Sequence, residues 1–368
     1  MDEQFINKYK AFLDEKKQQT TYKIDYITKY VEKWLFVVAN VPDNKNINFI
    51  DCMCNAGIYQ DGDYCSSIRT LILFNNFAEE HKDKVFNILL NDYDANRVNI
   101  IKEIINSIGM KPNVHCYISN KDVNAYLLQD AYFKSFFNCY PNRSANLLFV
   151  DPYNFCSVKI SVLENFLRNN YCELLYNVFT SDFIRNSDKS KMQKYCQEEK
   201  INVNNKADML NLLTSRLRVG HIRFSFAYSF RTKNKNEIYQ IMFFTPSQKG
   251  LEKLKEALWD TFNGKEFHQN KENDNLGPEQ LSMFTSEQET QLTIDAYSLE
   301  AMNLLCEEFK GETVLYTEFE LFLIENTLLK DSQIISNVII PLINSGRITK
   351  LNKVNRKTNY KKDYYQVN

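Results

Sequence analysis

Short apolar segments of strand length alternate with segments of helical periodicity over the first half of the chain. The strand-like segments show little alternation of apolar and polar residues, which is typical of strands buried on both faces. They read INFIDCM, VFNILLND, NVHCYIS, ANLLFVDP and ELLYNVFT, and the helical segments between them read IRTLILFNNFAEEH, DANRVNIIKEIINSIG, DVNAYLLQDAYFKSFF and KISVLENFLRNN. This alternation predicts an α/β fold with helices on both faces of a parallel sheet.

The pattern changes after the fifth strand. Two further strand-like segments, HIRFSFAYSF and EIYQIMFFTP, are separated only by RTKNKN, which is too short for a helical crossover. They are therefore predicted to form an antiparallel hairpin at the edge of a seven-stranded sheet. Five crossover strands followed by an antiparallel pair form the sheet of class I S-adenosylmethionine-dependent methyltransferases, whereas the plain dinucleotide-binding fold closes with a parallel sixth strand. The sequence thus predicts the Rossmann-like sheet of a class I methyltransferase.

Length and composition predict more than one domain. A chain of 368 residues that is 44% hydrophobic can bury one large core and a smaller appendage. Residues 1–46 are predicted to form N-terminal helices that pack on the core, with one apolar face made of Ile24, Ile27, Val31, Trp34 and Leu35. The methyltransferase-like domain is then predicted at 47–262, a polar linker at 263–292 and a second domain at 293–368.

The second domain combines three short helical segments with a basic end. From Arg347 onward the chain has seven Lys or Arg and one Asp, although its total formal charge is −1. This pattern predicts a small winged-helix-like domain, a common reader of nucleic acids. The alternative is a solvated basic hairpin on a module that docks a protein. Tyr360, Tyr364 and Tyr365 are candidates either for stacking on exposed bases or for packing the wing against its helices. The residues expected to contact phosphates are Lys350, Lys353, Arg356, Lys357, Lys361 and Lys362.

Cysteine usage and hydropathy indicate the compartment. The chain has nine irregularly spaced cysteines, no N-terminal apolar signal segment and no apolar run near twenty residues. We therefore expect a cytoplasmic protein without a membrane span. Cys52, Cys54 and Cys65 are close enough in sequence to suggest a metal site, but no C-x-x-C pair exists, and no metal is predicted. No ligand spacing is formed by His81, His115, His221 and His268.

The predicted fold places a cofactor across the carboxyl ends of the first strands. Asp51 ends the first strand, and the turn after it is built from small residues, with Asn55 tolerant of positive φ. An ordinary strand-to-helix turn is the alternative. Asp92 ends the second strand, where a carboxylate can accept hydrogen bonds from ribose hydroxyls, while Asp94 is expected to cap the next helix. The predicted cofactor-binding residues are Asp51, Asn55, Ala56, Gly57, Asp92, Asp122 and Val123.

The third and fourth strands supply the remaining candidates. Asp122 and Val123 follow the third strand and suit an adenine amino group and ring, with helix capping by Asp122 as the alternative. The fourth strand ends in LLFVDPYNF, where Asp151 and the Pro152 carbonyl can hold an amine that is to be methylated. Tyr153 or Phe155 is expected to stack on a planar substrate. A structural turn with buried aromatic residues is the alternative. The predicted catalytic residues are Asp151, Pro152 and Tyr153.

These motifs together resemble the three-Cys-motif partner protein family, abbreviated TcmP, over roughly residues 21–262. The family's first strand contains an F-I-D segment, which is followed by a glycine-containing turn and a Tyr-x-Asp-Gly loop. The chain departs from the pattern at Cys52 and Asn55, where the family usually has glycine. The matching positions are Ile50, Asp51, Gly57, Tyr59, Asp61, Gly62, Asp92, Asp94, Asp122, Val123, Asn124, Asp151, Pro152 and Tyr153.

The resemblance implies a methyltransferase-like protein that works with a cysteine-motif partner of the radical S-adenosylmethionine type. The leading hypothesis is an S-adenosylmethionine-dependent N-methyltransferase that acts on an amine of a nucleobase or another planar substrate. The alternative is a non-catalytic protein of the same fold that binds the cysteine-motif partner and contacts DNA or RNA through its basic C-terminal segment. The side chains at Cys52 and Asn55 motivate this alternative.

Overall fold

The computed structural model describes residues 3–137, 143–186, 190, 195, 203–231, 238–264, 286–351 and 362–368. Contacts within the chain divide it into two units, Met1–Gly250 and Leu251–Asn368. Within the described residues, no helix is long and apolar enough to cross a membrane.

The first unit alternates helices and strands as expected. Its strands are β1 Asn44–Asp51, β2 Val85–Asn91, β3 Val114–Ser119, β4 Arg143–Val150, β5 Glu173–Phe179, β6 Phe224–Arg231 and β7 Ile238–Thr245. Its helices are α1 Glu3–Tyr9, α2 Gln18–Ala39, α3 Ser66–Glu80, α4 Ala95–Ile108, α5 Val123–Leu127, α6 Asp130–Phe137, α7 Ile160–Asn169, α8 Thr180–Arg185 and α9 Lys206–Leu217, with a 3₁₀ turn at Lys10–Phe12.

The seven strands form one sheet in the order β3-β2-β1-β4-β5-β7-β6. Strands β1 to β5 pair in parallel, and β7 pairs antiparallel with both β5 and β6. The predicted seven-stranded methyltransferase-type sheet with an antiparallel edge hairpin is therefore confirmed. The order reverses direction between β1 and β4, so the carboxyl ends of these strands border a crevice in which α/β proteins bind ligands.

Helix α2 fixes the N-terminal part of the chain to the sheet. Its predicted apolar face is confirmed, because all five of its members are at most 3% exposed: Ile24, Ile27, Val31, Trp34 and Leu35. Tyr30, fully buried on the same helix, donates a hydrogen bond to Glu173 at the start of β5. Burial raises the pKa of the Glu173 carboxyl to about 7. The apolar face thus holds the first turns of α2 at a fixed place beside the sheet.

Buried asparagines link three neighbouring strands. Asn48 on β1 lies in register with Asn87 on β2 and Asn146 on β4. The Asn87 amide donates to the Asn48 carbonyl oxygen at 2.8 Å, and the Asn48 amide donates to that of Asn146 at 2.7 Å. Asn146 in turn donates to the backbone carbonyl of Tyr171 at 2.7 Å. A slip of one residue would separate these buried groups from their partners, so the ladder specifies the register of the sheet.

The second unit contains helices and a small sheet. Its helices are α10 Gln248–Phe262, which starts in the first unit, α11 Ser286–Glu308, α12 Tyr316–Asn326, α13 Asp331–Ile334 and α14 Ile340–Asn344, with a π-helical turn at Ile335–Ile339. Its strands are β8 Thr313–Leu315, β9 Ile348–Lys350 and β10 Tyr364–Val367, in the antiparallel order β8-β10-β9. The π turn ends at Ile339, two residues before Pro341, a residue that an ordinary helix interior does not accommodate.

The contact-based boundary lies earlier than the predicted end of the large domain at residue 262. Helix α10 explains the difference, because Trp259 donates to the Leu328 carbonyl at 2.7 Å and buried Lys255 donates to the Leu329 carbonyl at 3.2 Å. The described helix α11 begins at Ser286, inside the predicted linker 263–292, and β1 begins at Asn44, inside the predicted N-terminal segment 1–46. Residues 265–285 of the linker lie outside the described residues.

Candidate active site

A cavity of about 420 Å³ lies at the carboxyl ends of β1 and β4. This volume is within the range of small-molecule sites. Three parts of the chain line it: the N-terminal residues Asp14, Glu15, Lys17, Thr20 and Lys23, the turn after β1 with Asp51, Met53, Cys54 and Asn55, and the corner after β4 with Phe149, Asp151, Pro152 and Tyr153. Tyr59, Cys65, Ser66 and Phe179 complete the wall.

The cavity brings together part of the predicted site. Five predicted residues line it: Asp51, Asn55, Asp151, Pro152 and Tyr153. Five others are not part of its described wall: Ala56, Gly57, Asp92, Asp122 and Val123. The predicted catalytic corner and the acid at the end of β1 therefore share one cavity, while the acids expected to contact ribose and adenine, Asp92 and Asp122, are not on its described wall.

Asp51 is a buried acid at the base of the cavity. Its side chain accepts a hydrogen bond from the Met53 backbone N–H at 3.1 Å, and the residue is 1% exposed. Burial raises the pKa of Asp51 to about 8, and the negative charges of Asp151 and Asp92 add to this shift. Among the described residues, Asp51 forms no ion pair. A cation that enters the cavity would therefore stabilise the ionised carboxylate.

The turn after β1 closes through side chains. Asn55 has a φ of 59°, a positive value of the kind that asparagine tolerates better than most residues. Its backbone N–H donates to Asp92 at 2.9 Å, and its side-chain oxygen accepts from the Ala56 N–H at 2.6 Å. Gly57 has a φ of 85°, which favours glycine, and an added Cβ would also lie 2.9 Å from Ile101 and 3.1 Å from Ile68. The space beside Gly57 is therefore filled by protein side chains and is not open to a cofactor.

Asp92 was predicted to accept hydrogen bonds from ribose hydroxyls. In the structure its carboxylate accepts from the backbone N–H groups of Asn55 and Asp94, each at 2.9 Å, and the residue is 4% exposed. Burial is the main cause that raises its pKa. Asp92 thus braces the turn in this conformation. The neighbouring Asp94 caps α4 by accepting from the Asn96 N–H at 2.8 Å, as predicted.

Asp122 and Val123 were predicted to contact adenine. Asp122 caps α5 by accepting from the Asn124 N–H at 3.0 Å and the Ala125 N–H at 3.2 Å. The helix-capping alternative is therefore confirmed for this carboxylate. Val123 is 6% exposed and packs in the core. Contact of either residue with adenine stays a prediction.

Asp151 has a partner that sequence reasoning missed. Lys23 of α2 donates to both of its carboxylate oxygens, at 2.8 and 2.7 Å. The Lys23 side chain is 11% exposed, so the pair is partly shielded from water. The two residues are 128 positions apart in the chain. Periodicity places Lys23 on the helix but gives no sign of the pairing, because the position of α2 on the sheet depends on long-range packing.

The aromatic residues after Asp151 differ in exposure. Tyr153 is 61% exposed, and the Arg97 guanidinium lies 5.5 Å from the centre of its ring. Phe155 is 4% exposed and packs edge-on against Phe183 and Tyr195. The expectation that either aromatic could stack on a substrate is therefore corrected: Tyr153 is accessible, whereas Phe155 belongs to the core.

The three clustered cysteines are buried. Cys54 and Cys65 line the cavity, and Cys65 forms a 2.8 Å contact with the Ser67 hydroxyl. Burial raises the pKa of the Cys65 thiol to about 11, and the pKa of Cys52 also increases because of burial. In the described part of the chain, no group of three or more His, Cys, Asp or Glu residues could hold a metal ion.

The basic C-terminal segment is only partly described. Lys350 forms an ion pair with Asp363 at 2.6 Å, so this lysine does not present an isolated charge to phosphates as expected. Lys362 is exposed. Tyr365 packs on Phe319 with ring centres 5.8 Å apart, and Tyr364 is 44% exposed. The predicted phosphate contacts and stacking residue that lie outside the described residues are Lys353, Arg356, Lys357, Lys361 and Tyr360.

Comparison with known proteins gives distant structural similarities. No family model matches the chain, and no curated protein matches it. A structure of Trm1 from Pyrococcus horikoshii with S-adenosyl-L-methionine is similar at 13% identity and a TM-score of 0.38. The match covers 65% of this chain and 62% of Trm1, so the chain spans less than two thirds of that protein.

Two further solved structures are similar. LPL1258 from Legionella pneumophila has 14% identity and a TM-score of 0.40, over 65% of this chain and 92% of that protein. TrmK from M. capricolum, solved with S-adenosyl-homocysteine, has 12% identity and a TM-score of 0.28, over 83% of this chain and 97% of TrmK. The strand order of the seven-stranded sheet is seen in this chain's own structure and does not depend on these similarities.

Proposed function

We propose that the protein is an S-adenosylmethionine-dependent methyltransferase that acts on an amine of a planar substrate. The observation that carries the proposal is the cavity at the switch point of a methyltransferase-type sheet, with buried Asp51 and the Asp151-Pro152-Tyr153 corner on its wall. A ligand site is expected at this place in a doubly wound sheet. The solved structures of Trm1 and TrmK with the cofactor or its product agree with this proposal.

The cavity fits the charged end of this cofactor. Asp51 is a buried acid without an ion-pair partner among the described residues, and burial raises its pKa to about 8. Asp51 would hold the cofactor's ammonium group, which would supply the missing positive charge. When bound, the cofactor supplies an electrophilic methyl group. Asp92 fits its predicted role at the cofactor's ribose less directly, because its carboxylate accepts hydrogen bonds from backbone N–H groups of the turn.

The residues of the chain align the acceptor. Asp151, oriented by its two bonds from Lys23, keeps acceptor capacity for an amine N–H, because a carboxylate offers about four lone-pair sites. Pro152 lines the cavity at the same corner, and its carbonyl would be the second acceptor. Tyr153 offers an exposed ring face on which a planar substrate can stack. Alignment of this kind is the main contribution that a protein makes to a transfer from an activated donor.

A non-catalytic protein of the same fold is the second candidate. The observation that favours it is Asp92, whose carboxylate is occupied by backbone N–H groups of its own turn. In this case the fold would serve to bind a partner, for which the resemblance to the three-Cys-motif partner family suggests a cysteine-motif protein. A pull-down with such a protein carrying its cysteine motif, compared with a variant lacking those cysteines, tests this pairing.

Calorimetry with the full chain separates the two candidates. The methyltransferase proposal expects S-adenosylmethionine and S-adenosylhomocysteine to bind at one shared site with a Kd of roughly 0.1 mM or tighter. Competition between the two ligands shows that the site is shared. Failure of both ligands to bind at millimolar concentration would reject the enzyme and leave the binding protein.

We also propose that the second unit is a winged helix that contacts nucleic acid. Support comes from the order of its elements, α11-β8-α12, then the helix from α13 to α14, then β9 and β10, and from the net positive charge of residues 347–368. Along the chain, most of the basic residues lie between β9 and β10, which pair as neighbours in the small sheet. Lys362 and the basic residues outside the described part would supply the phosphate contacts.

Salt dependence tests the nucleic-acid proposal. Binding of the full chain to duplex DNA or structured RNA is expected to weaken with a slope of about one log unit per log unit of salt for each phosphate contact. Exchanging Lys353, Arg356, Lys357 and Lys361 for Gln should reduce that slope, measured by fluorescence anisotropy. The matched control exchanges four lysines of the first unit: Lys8, Lys45, Lys111 and Lys159. Equal losses in both variants, or no binding at low salt, would contradict the proposal.

A further inference from the structure

An acidic side chain from the N-terminal region bridges two donors beside the cavity. The carboxylate of Asp14 accepts from Arg97 of α4 at 2.8 Å and from the Asn55 side-chain amide at 2.6 Å. Arg97 lies on the helix that follows β2, and Asn55 lies in the turn that follows β1. Two separate elements thus direct their donors at one anionic group. A guanidinium and an amide placed in this way form a site for an anion.

The backbone around Asp14 is held independently of its carboxylate. Leu13 is 4% exposed, and its carbonyl accepts from the Gln60 side chain at 2.8 Å. The Asp14 carbonyl accepts from the Gln60 backbone N–H at 3.1 Å, and Lys16 pairs with Asp61 at 2.8 Å. The Asp14 carboxylate can therefore rotate away while the chain on both sides of it stays in place.

Exposure differs between the two charged partners. The Asp14 side chain is 39% exposed, whereas that of Arg97 is 16% exposed. An exposed carboxylate regains water when it leaves, whereas the partly buried Arg97 guanidinium then keeps only a longer contact with the Asp94 carboxylate, at 3.9 Å, and is stabilised by another anion in the place of Asp14. When Asp14 leaves, a state in which an external anion takes its place is therefore more stable than a state in which that place beside Arg97 is empty.

The anion site is next to the aromatic residue of the acceptor corner. Arg97 lies against the ring of Tyr153 and also donates to its hydroxyl group. Tyr153 is exposed and follows Asp151 by two residues. Three features therefore lie side by side along one edge of the sheet. They are the Asp151 carboxylate, which can bind an amine, the Tyr153 ring, on which a base can stack, and the donors that can bind an anion. A nucleotide whose base carries an amine matches all three features.

We propose that Arg97 and Asn55 form a phosphate subsite, which the Asp14 carboxylate occupies until the phosphate of a nucleotide substrate displaces it. This inference rests on the proposed function, since it names the acceptor as a nucleotide and not as a free base or nucleoside. The phosphate can belong to a free nucleotide or to a polynucleotide chain. Asp14 then acts as an internal competitor for the phosphate.

The experiment measures the gain in affinity that a phosphate provides. Calorimetry on the full chain compares each common nucleoside with its 5′-monophosphate and with a single-stranded oligonucleotide, with and without S-adenosylhomocysteine. Asp14→Asn removes the competing charge and should increase the nucleotide's advantage by about tenfold. Glu15→Gln is the matched control, because it removes one negative charge from the same cavity wall without a described contact to Arg97. We expect it to change the ratio less than about twofold.

Variants at the donor complete the test. Arg97→Gln should abolish the advantage of the phosphate, and Arg97→Lys, which keeps the charge but not the planar fork, should retain part of it. Equal effects of Asp14→Asn and Glu15→Gln, or no phosphate advantage in any variant, would overturn the proposal. A phosphate advantage without S-adenosylhomocysteine binding would reject the enzyme while keeping the subsite. Preference for the oligonucleotide identifies a polynucleotide source, and equal affinity identifies a free nucleotide.

Discussion

Binding of S-adenosylhomocysteine at pH 7 is expected to release close to one proton from the wild-type protein and none from an Asp51→Asn variant. Burial raises the pKa of Asp51 to about 8, so its carboxyl is mostly protonated at pH 7 before binding. An ammonium group placed beside it favours the ionised form and expels the proton. Calorimetry in buffers of different ionisation enthalpy counts the released protons, and the variant should also bind about a hundredfold more weakly.

The same carboxyl should make the stability of the wild type depend on pH. Its pKa in the folded state, about 8, lies above the ordinary value of 3.8, so the stability it contributes is fully present below pH 3.8 and is lost progressively as the pH rises from there through 8. Asp51→Asn should therefore be more stable than the wild type by about 4 kcal/mol at pH 7 and close to it at pH 4. Urea unfolding at both pH values measures this difference. Proton release or pH profiles unchanged by the variant would show that Asp51 is not the group involved.

Asp151→Ala is expected to reduce the rate of methyl transfer by about a thousandfold while leaving cofactor affinity nearly unchanged. The carboxylate is the charged acceptor for an amine N–H at this corner, and Lys23 orients it through two bonds. Single-turnover transfer to the nucleotide acceptor measures the rate, and calorimetry measures cofactor affinity. Asp83→Ala, at an exposed ion pair with Lys45, is the control and should keep the wild-type rate. A parallel loss of cofactor affinity in Asp151→Ala would assign this residue to cofactor binding and not to the acceptor.

Local patterns were enough to predict the sheet. The six residues between the last two strand-like segments exclude a helical crossover, and the resulting hairpin is present as β6 and β7. The apolar spacing of α2 predicted its buried face correctly, and the positive φ at Asn55 was anticipated from the side chains that tolerate it. The hairpin, the buried helix face and the backbone angle each depend on residues that are close together in the chain, so a local sequence pattern is enough to indicate them.

The pairings in the cavity could not be predicted in this way. Lys23 and Asp151 are 128 positions apart, and Arg97 and Asp14 are 83 apart. Each pairing depends on where the N-terminal residues cross the sheet, which long-range packing decides. Asp92 and Asp122 show the converse difficulty, because an acid at the end of a strand can either bind a ligand or satisfy nearby backbone N–H groups. In this structure both carboxylates accept from backbone N–H groups.

The hydrogen-bonded ladder of Asn48, Asn87 and Asn146 makes the residue that is tolerated at each of these positions depend on the other two. Each amide has one orientation that suits both of its neighbours, so exchange of the central asparagine alone leaves a buried donor on β2 and a buried acceptor on β4 without partners. An apolar replacement becomes tolerable only when the neighbouring positions change as well, because the cost arises from the unpaired partners and not from the lost amide. Sequence change at these positions is therefore expected to be correlated, and a related chain should keep all three amides or replace them together.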